Sequence, residues 1–103
     1  MRVEQSRHID ASEPDSDGIY DWYYEYDIYR FVDGGRVLIA RSYIDSSAEA
    51  HFLRFEDRGN HRFPTDYLED PLLKEAAHYL RGIGKSELQC LGPGGYVRLS
   101  PEA

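Results

Sequence analysis

Residues 20–32 read YDWYYEYDIYRFV, and no other stretch of the chain limits the fold so narrowly. Aromatic and β-branched side chains alternate there with acids, which suits the pleated surface of a strand and not the period of a helix. Trp22, Tyr24, Tyr26, Ile28 and Val32 fall on one side, broken by Arg30, and Asp21, Tyr23, Glu25, Asp27, Tyr29 and Phe31 fall on the other. Asp33-Gly34-Gly35 follows as a hairpin turn, with glycine where positive φ is required. Residues 36–44, RVLIARSYI, form the return strand. Loop length decides which faces meet. A three-residue loop pairs Val32 with Arg36, Ile28 with Ala40 and Asp27 with Arg41. That register builds one apolar face from Trp22, Tyr24, Tyr26 and Ile28 with Leu38, Ala40 and Ile44, and it sets opposite charges across from each other on the second face.

Further along, residues 50–56 (AHFLRFE) read as a third strand closed by a polar turn through Asp57, Arg58, Gly59 and Asn60, while residues 61–69 have no clear pattern. Asp70-Pro71 is a helix start, an acidic N-cap followed by proline at the first helical position. Leu72, Leu73, Ala76, Ala77, Leu80 and Ile83 recur at helical spacing and predict the buried stripe. ELQCL and YVRLS flank Gly92-Pro93-Gly94-Gly95, a last hairpin. The predicted order is βββ-α-ββ, an α+β fold in which an antiparallel sheet of about five strands carries one main helix on one face.

A length of 103 residues fits one domain. Residues 1–18 are polar, acidic and aperiodic, with Pro14 and Gly18, and read as a disordered acidic tail. Residues 19–103 are expected to form the single domain. No run approaches the ~18 apolar residues of a membrane helix, and the start MRVEQSRHID has no apolar stretch of the secretory kind. The lone Cys90 excludes an internal disulfide. These features lead us to expect a soluble, cytoplasmic protein.

Charge is distributed unevenly. Residues 1–33 hold nine acids against three arginines, a net of −6 out of −7 for the chain. Such an end repels phosphates and attracts basic surfaces, so neither nucleic acid nor membrane is the expected partner.

Motifs for chemistry fall short. Gly82-Ile83-Gly84-Lys85-Ser86 resembles the end of a phosphate loop, but Tyr79 stands where the first glycine belongs, and the segment closes a helix instead of opening one. It reads as a glycine helix stop. His51, Asp57 and His61 lack metal-ligand spacing. Cys90 lies in a strand facing the core, where a thiol is inert. No catalytic residue, metal or cofactor is assigned, and a non-catalytic role is expected.

One helix of about twelve residues covers one side of such a sheet. The predicted uncovered face carries Asp21, Tyr23, Glu25, Asp27, Tyr29 and Phe31 on one strand and Ile39, Arg41 and Tyr43 on the next. So many aromatic groups exceed scattered surface hydrophobes, and tyrosine and arginine are enriched at protein interfaces. The function expected from sequence is protein binding through this acidic, tyrosine-rich face. Its partner would be a basic protein, in the manner of inhibitors and immunity proteins. The alternatives are a homodimer that buries the same face, and a small-ligand-binding domain or enzyme.

Overall fold

A computed structural model describes residues 1–101. Seven strands and one α-helix form an α+β domain: β1 Arg2–Ala11, β2 Tyr23–Asp33, β3 Arg36–Tyr43, β4 Glu49–Asp57, β5 Asn60–Arg62, α1 Pro71–Gly82, β6 Glu87–Gly92 and β7 Gly95–Arg98. The strands make one mixed sheet in the order β1-β2-β3-β4-β6-β7, with β5 paired to β4. All neighbours are antiparallel except β4 and β6, which run parallel. A parallel pair cannot be closed by a tight turn, and here the connection between its strands carries β5 and α1.

The helix forms where its signals lie. Asp70 caps it through Oδ1, which accepts the Leu72 amide at 2.9 Å, and Pro71 occupies the first turn. Its end is a Schellman motif: the Lys85 amide donates to the Leu80 carbonyl at 2.9 Å and the Gly84 amide to that of Arg81 at 3.1 Å, with Gly84 at φ 96°. Lys85 Nζ then donates to the Ser47 carbonyl at 2.7 Å. The helix buries Leu72, Leu73, Ala76, Ala77 and Leu80 against Phe31, Leu38, Phe52, Phe55 and Leu88 of the sheet. Each large side chain removed from water there stabilises the fold by about 1.5–3 kcal/mol. Arg36 ties helix to sheet, donating to both Asp70 carboxylate oxygens at 3.2 and 2.7 Å while its guanidinium lies 5.0 Å from the centre of the Phe55 ring.

Three expectations need correction. The β2–β3 turn has two residues, not three: Asp33 stays in β2 opposite Arg36, Val32 faces Val37, and Gly34 alone of the two glycines takes positive φ, at 61°. A one-residue slip exchanges the faces of the strand. Asp27, Tyr29 and Phe31 therefore lie on the helix-covered side with Leu38, Ala40 and Ser42, all buried, while Tyr24, Tyr26, Ile28 and Arg30 lie on the other. Arg30, which breaks the predicted apolar side, is the residue this register sends to solvent. Second, residues 2–11 of the expected tail form β1, paired with β2 through ten consecutive residues. Third, the sheet is mixed and larger than five strands, because β1 and β5 join it and β6 docks parallel to β4.

The N-terminal segment extends the sheet instead of folding over its second face, and of residues 61–69 His61, Arg62 and Phe63 line a groove there. β1 extends the sheet sideways, residues 61–62 pair with β4, and the short 3-10 turn Pro64–Tyr67 packs on the helix side, where Tyr67 meets Phe55 at 5.3 Å between ring centres. No helix among the described residues is long and apolar enough to cross a membrane.

Candidate protein-docking surface

β2 is longer than its partner β3. Only Tyr26–Asp33 pair with β3, whereas Tyr23, Tyr24 and Glu25 pair with β1 alone. β1 and β2 thus leave the sheet as a two-stranded ribbon closed by the loop 12–22. A two-stranded ribbon has no opposing layer in which to bury its side chains, and its aromatic groups face water. Ile19 is 63% exposed and Trp22 49%, with Tyr20, Tyr23 and Tyr24 also exposed. Tyr20 and Tyr23 lean together at 5.4 Å between ring centres.

The loop is held by its own polar groups. Asp15 Oδ1 accepts the amides of Asp17 and Ile19, each at 2.9 Å, and the Asp15 amide donates to the Ile19 carbonyl at 2.8 Å. Gly18, at φ 79°, makes the reversal and donates to the Asp15 carbonyl. Ser12 Oγ accepts the Asp21 amide at 2.7 Å and the Trp22 amide at 3.3 Å. These are the local side-chain bonds by which aspartate and serine build turns. Residues 10–25 contain six acids and no lysine or arginine.

At the root of the ribbon Arg7 donates from Nε to Asp27 Oδ1 at 2.6 Å, from a terminal nitrogen to Oδ2 at 3.1 Å, and from the other to Glu25 at 3.3 Å. This bidentate clamp locks β1 to β2 beside the end of β3. Asp27 is 5% exposed, and the Arg7 hydrogen bonds hold its carboxyl below the usual range despite burial. Beside the clamp, a cleft of about 220 Å³ is lined by Tyr24, Glu25, Tyr43, Asp45 and Ser46. Its two tyrosine rings lie 5.9 Å apart, and two carboxylates stand at its rim.

The open sheet face is packed upon itself. His8 stacks on Tyr26 at 5.6 Å, Tyr26 meets Tyr43 edge-on at 5.7 Å, and Arg41 lies 4.9 Å from the centre of the Tyr43 ring. A shallower groove of about 410 Å³ lies across β4 and β6, with Arg41, Leu53, Arg54, Phe63, Leu91 and Tyr96 in its lining. Leu53 reaches it because a bulge opposite Ile39–Ala40 leaves that residue without a partner on β3.

The nine residues expected to form one surface are therefore divided. Asp21 and Tyr23 stand on the ribbon, and Glu25 and Asp27 sit at its root in the Arg7 clamp. Tyr29 and Phe31 are core residues beneath α1, while Ile39, Arg41 and Tyr43 belong to the open face. Sequence reasoning misses Ile19, Tyr20, Trp22 and Tyr24, and it places the last two in the core. The available signal was the absence of any base from residues 10–25 beside exposed-type aromatics. Of the groups considered for chemistry, Cys90 is fully buried and burial pushes its thiol up to about 11. His61 lies 3.6 Å from Glu56, whereas His51 packs on Tyr96 at 4.7 Å, and no cluster of three or more metal-ligating side chains occurs among the described residues. No family model, no curated protein and no solved structure matches the chain.

Proposed function

We propose that this domain binds a basic protein through the β1–β2 ribbon, without catalysing a reaction. The observation that carries the reading is the ribbon's combination of five exposed large apolar side chains, Ile19, Tyr20, Trp22, Tyr23 and Tyr24, with six acids and no base in residues 10–25. Tryptophan and tyrosine supply the rigid contact area that dominates binding energies at interfaces. The carboxylates add steering and partner choice, because they attract cationic surfaces and repel anionic ones. The cleft lined by Tyr24, Glu25, Tyr43 and Asp45 sets two carboxylates beside tyrosine rings, a polar-aromatic setting that suits a lysine or arginine side chain.

The test compares partners recovered by the native chain with those recovered by Trp22→Ala and by an Asp15→Asn/Asp17→Asn/Asp21→Asn variant, at low and high salt. A basic protein retained by the native chain is expected to bind Trp22→Ala with a loss of about 2 kcal/mol or more. Charge neutralisation is expected to slow its association and flatten the salt dependence. A partner that both variants hold as tightly as the native chain overturns the reading.

A further inference from the structure

β1 is an outer strand of the sheet, paired with β2 along its length and with no other strand among the described residues. Edges of this kind are closed by proline, a bulge, shortness or charged side chains, and of these devices β1 carries charge alone, in Arg2, Glu4, Arg7 and Asp10. β1 has ten residues, no proline, and a ladder to β2 without a register shift. Its residues lie on two faces. Arg2, Glu4, Ser6, His8 and Asp10 share the open face, and Val3, Gln5, Arg7 and Ile9 share the helix side, as their partners on β2 show.

The strand is complementary to itself in reverse. Laid antiparallel against a second copy with Ser6 opposite Ser6, Arg2 faces Asp10, Glu4 faces His8, Val3 faces Ile9 and Gln5 faces Arg7. Arg2 meets the opposite charge of Asp10 on one face and Val3 meets Ile9 on the other, pairings of the kind that stabilise adjacent strands. Ile9 is 58% exposed, and Val3 already packs against the core, so the pairing covers Ile9 and extends the core across the junction. Shifting the register by two residues one way sets Glu4 against Asp10 and Arg7 against Arg7. Shifting it the other way sets Arg2 against His8 and Val3 against Arg7. A twofold axis normal to the sheet through Ser6 keeps both helices on one side and sends the two acidic ribbon tips to opposite ends, away from mutual repulsion.

We propose that β1 is a dimerisation edge through which two copies join their sheets antiparallel about Ser6. The pairing leaves the loop 12–22 free and does not depend on the ribbon having a basic partner.

Sedimentation of the full chain from micromolar to millimolar concentration is expected to show a reversible monomer–dimer equilibrium. Arg2→Asp and Asp10→Arg each place like charges opposite one another twice per dimer, and each is expected to weaken association about tenfold. An equimolar mixture of the two single variants is expected to restore it. In the mixed dimer one copy carries acids at positions 2 and 10 and the other carries arginines at both, so a carboxylate meets a guanidinium in each pair. This recovery requires both variants to be folded, and their circular dichroism checks that separately. A chain that stays monomeric throughout overturns the proposal, as does a dimer that neither single variant weakens, or a mixture no tighter than its components.

Discussion

Asp27 is a charge taken out of water and kept ionised chiefly by Arg7, with Gln5 and Lys85 adding to it. Its carboxylate is almost wholly buried, and Arg7 meets both of its oxygens. A carboxyl that binds its proton more weakly when folded than when unfolded contributes stability that is complete above its ordinary value of 3.8 and drains away as pH falls from there. Asp70 behaves alike: burial works against its ionisation, but the hydrogen bonds from Arg36 and the Leu72 amide outweigh burial. The thermal midpoint of the native chain is therefore expected to drop as pH falls below about 4, and Asp27→Asn to start lower at neutral pH and drop less steeply there. Parallel curves would show that the clamp contributes nothing. A second residue-scale prediction concerns Gly92, buried against the 3-10 turn. A Cβ there would stand 2.8 Å from Thr65 Oγ1 and 3.0 Å from its Cγ2. Gly92→Ala is expected to cost about 1–3 kcal/mol in urea unfolding, and the added change Thr65→Ala to recover most of it.

At the scale of elements, the β2–β3 turn sets the whole arrangement of faces. Gly34 holds φ 61°, where an L side chain costs about 1–2 kcal/mol, while Gly35 lies outside the positive region with open space around it. Gly34→Ala is expected to lower stability by that amount and Gly35→Ala by less than about 0.5 kcal/mol; equal losses would contradict the two-residue turn. The same turn marks where sequence reading stops working. The bounds of helix α1 are legible, since Asp70, Pro71 and Gly84 act through local geometry, but Ile83, expected in its buried stripe, is 48% exposed past the helix end. The strands of both hairpins are legible as well, from alternation and turn residues. Register is not legible in the first hairpin, because both sides of β2 are aromatic and a one-residue slip gives an equally apolar face, whereas the last hairpin pairs Leu91 with Tyr96 as its turn predicts. β1 is unreadable for another reason: RVEQSRHIDA has only Val3 and Ile9 to mark a face, and its pairing is specified by Asp27 and Arg30, which receive Arg7 and Glu4 from across the ladder. Of the candidate site, Asp21 and Tyr23 are found from sequence, but Trp22 and Tyr24 are assigned inward by the slipped register.

The molecule as a whole is longer than its chain length requires. Its radius of gyration is 15.0 Å, against about 13 Å for a compact domain of this size, and its longest dimension is 50 Å. Charge follows shape, since residues 10–25 alone carry six of the nineteen acids and none of the twelve bases. A chain that only needed solubility would gain nothing from setting tryptophan and tyrosines among those acids on a projecting ribbon. Docking of a basic protein on this ribbon is open to one direct measurement. A photo-activated cross-linking residue is placed at position 20, with the same residue at position 75 on the wet side of α1 as control, and what each captures is identified. A basic protein is expected to be joined at position 20, absent at position 75, and lost when Trp22→Ala is added. Equal capture at both positions, or capture at position 20 that survives Trp22→Ala, would contradict docking on the ribbon.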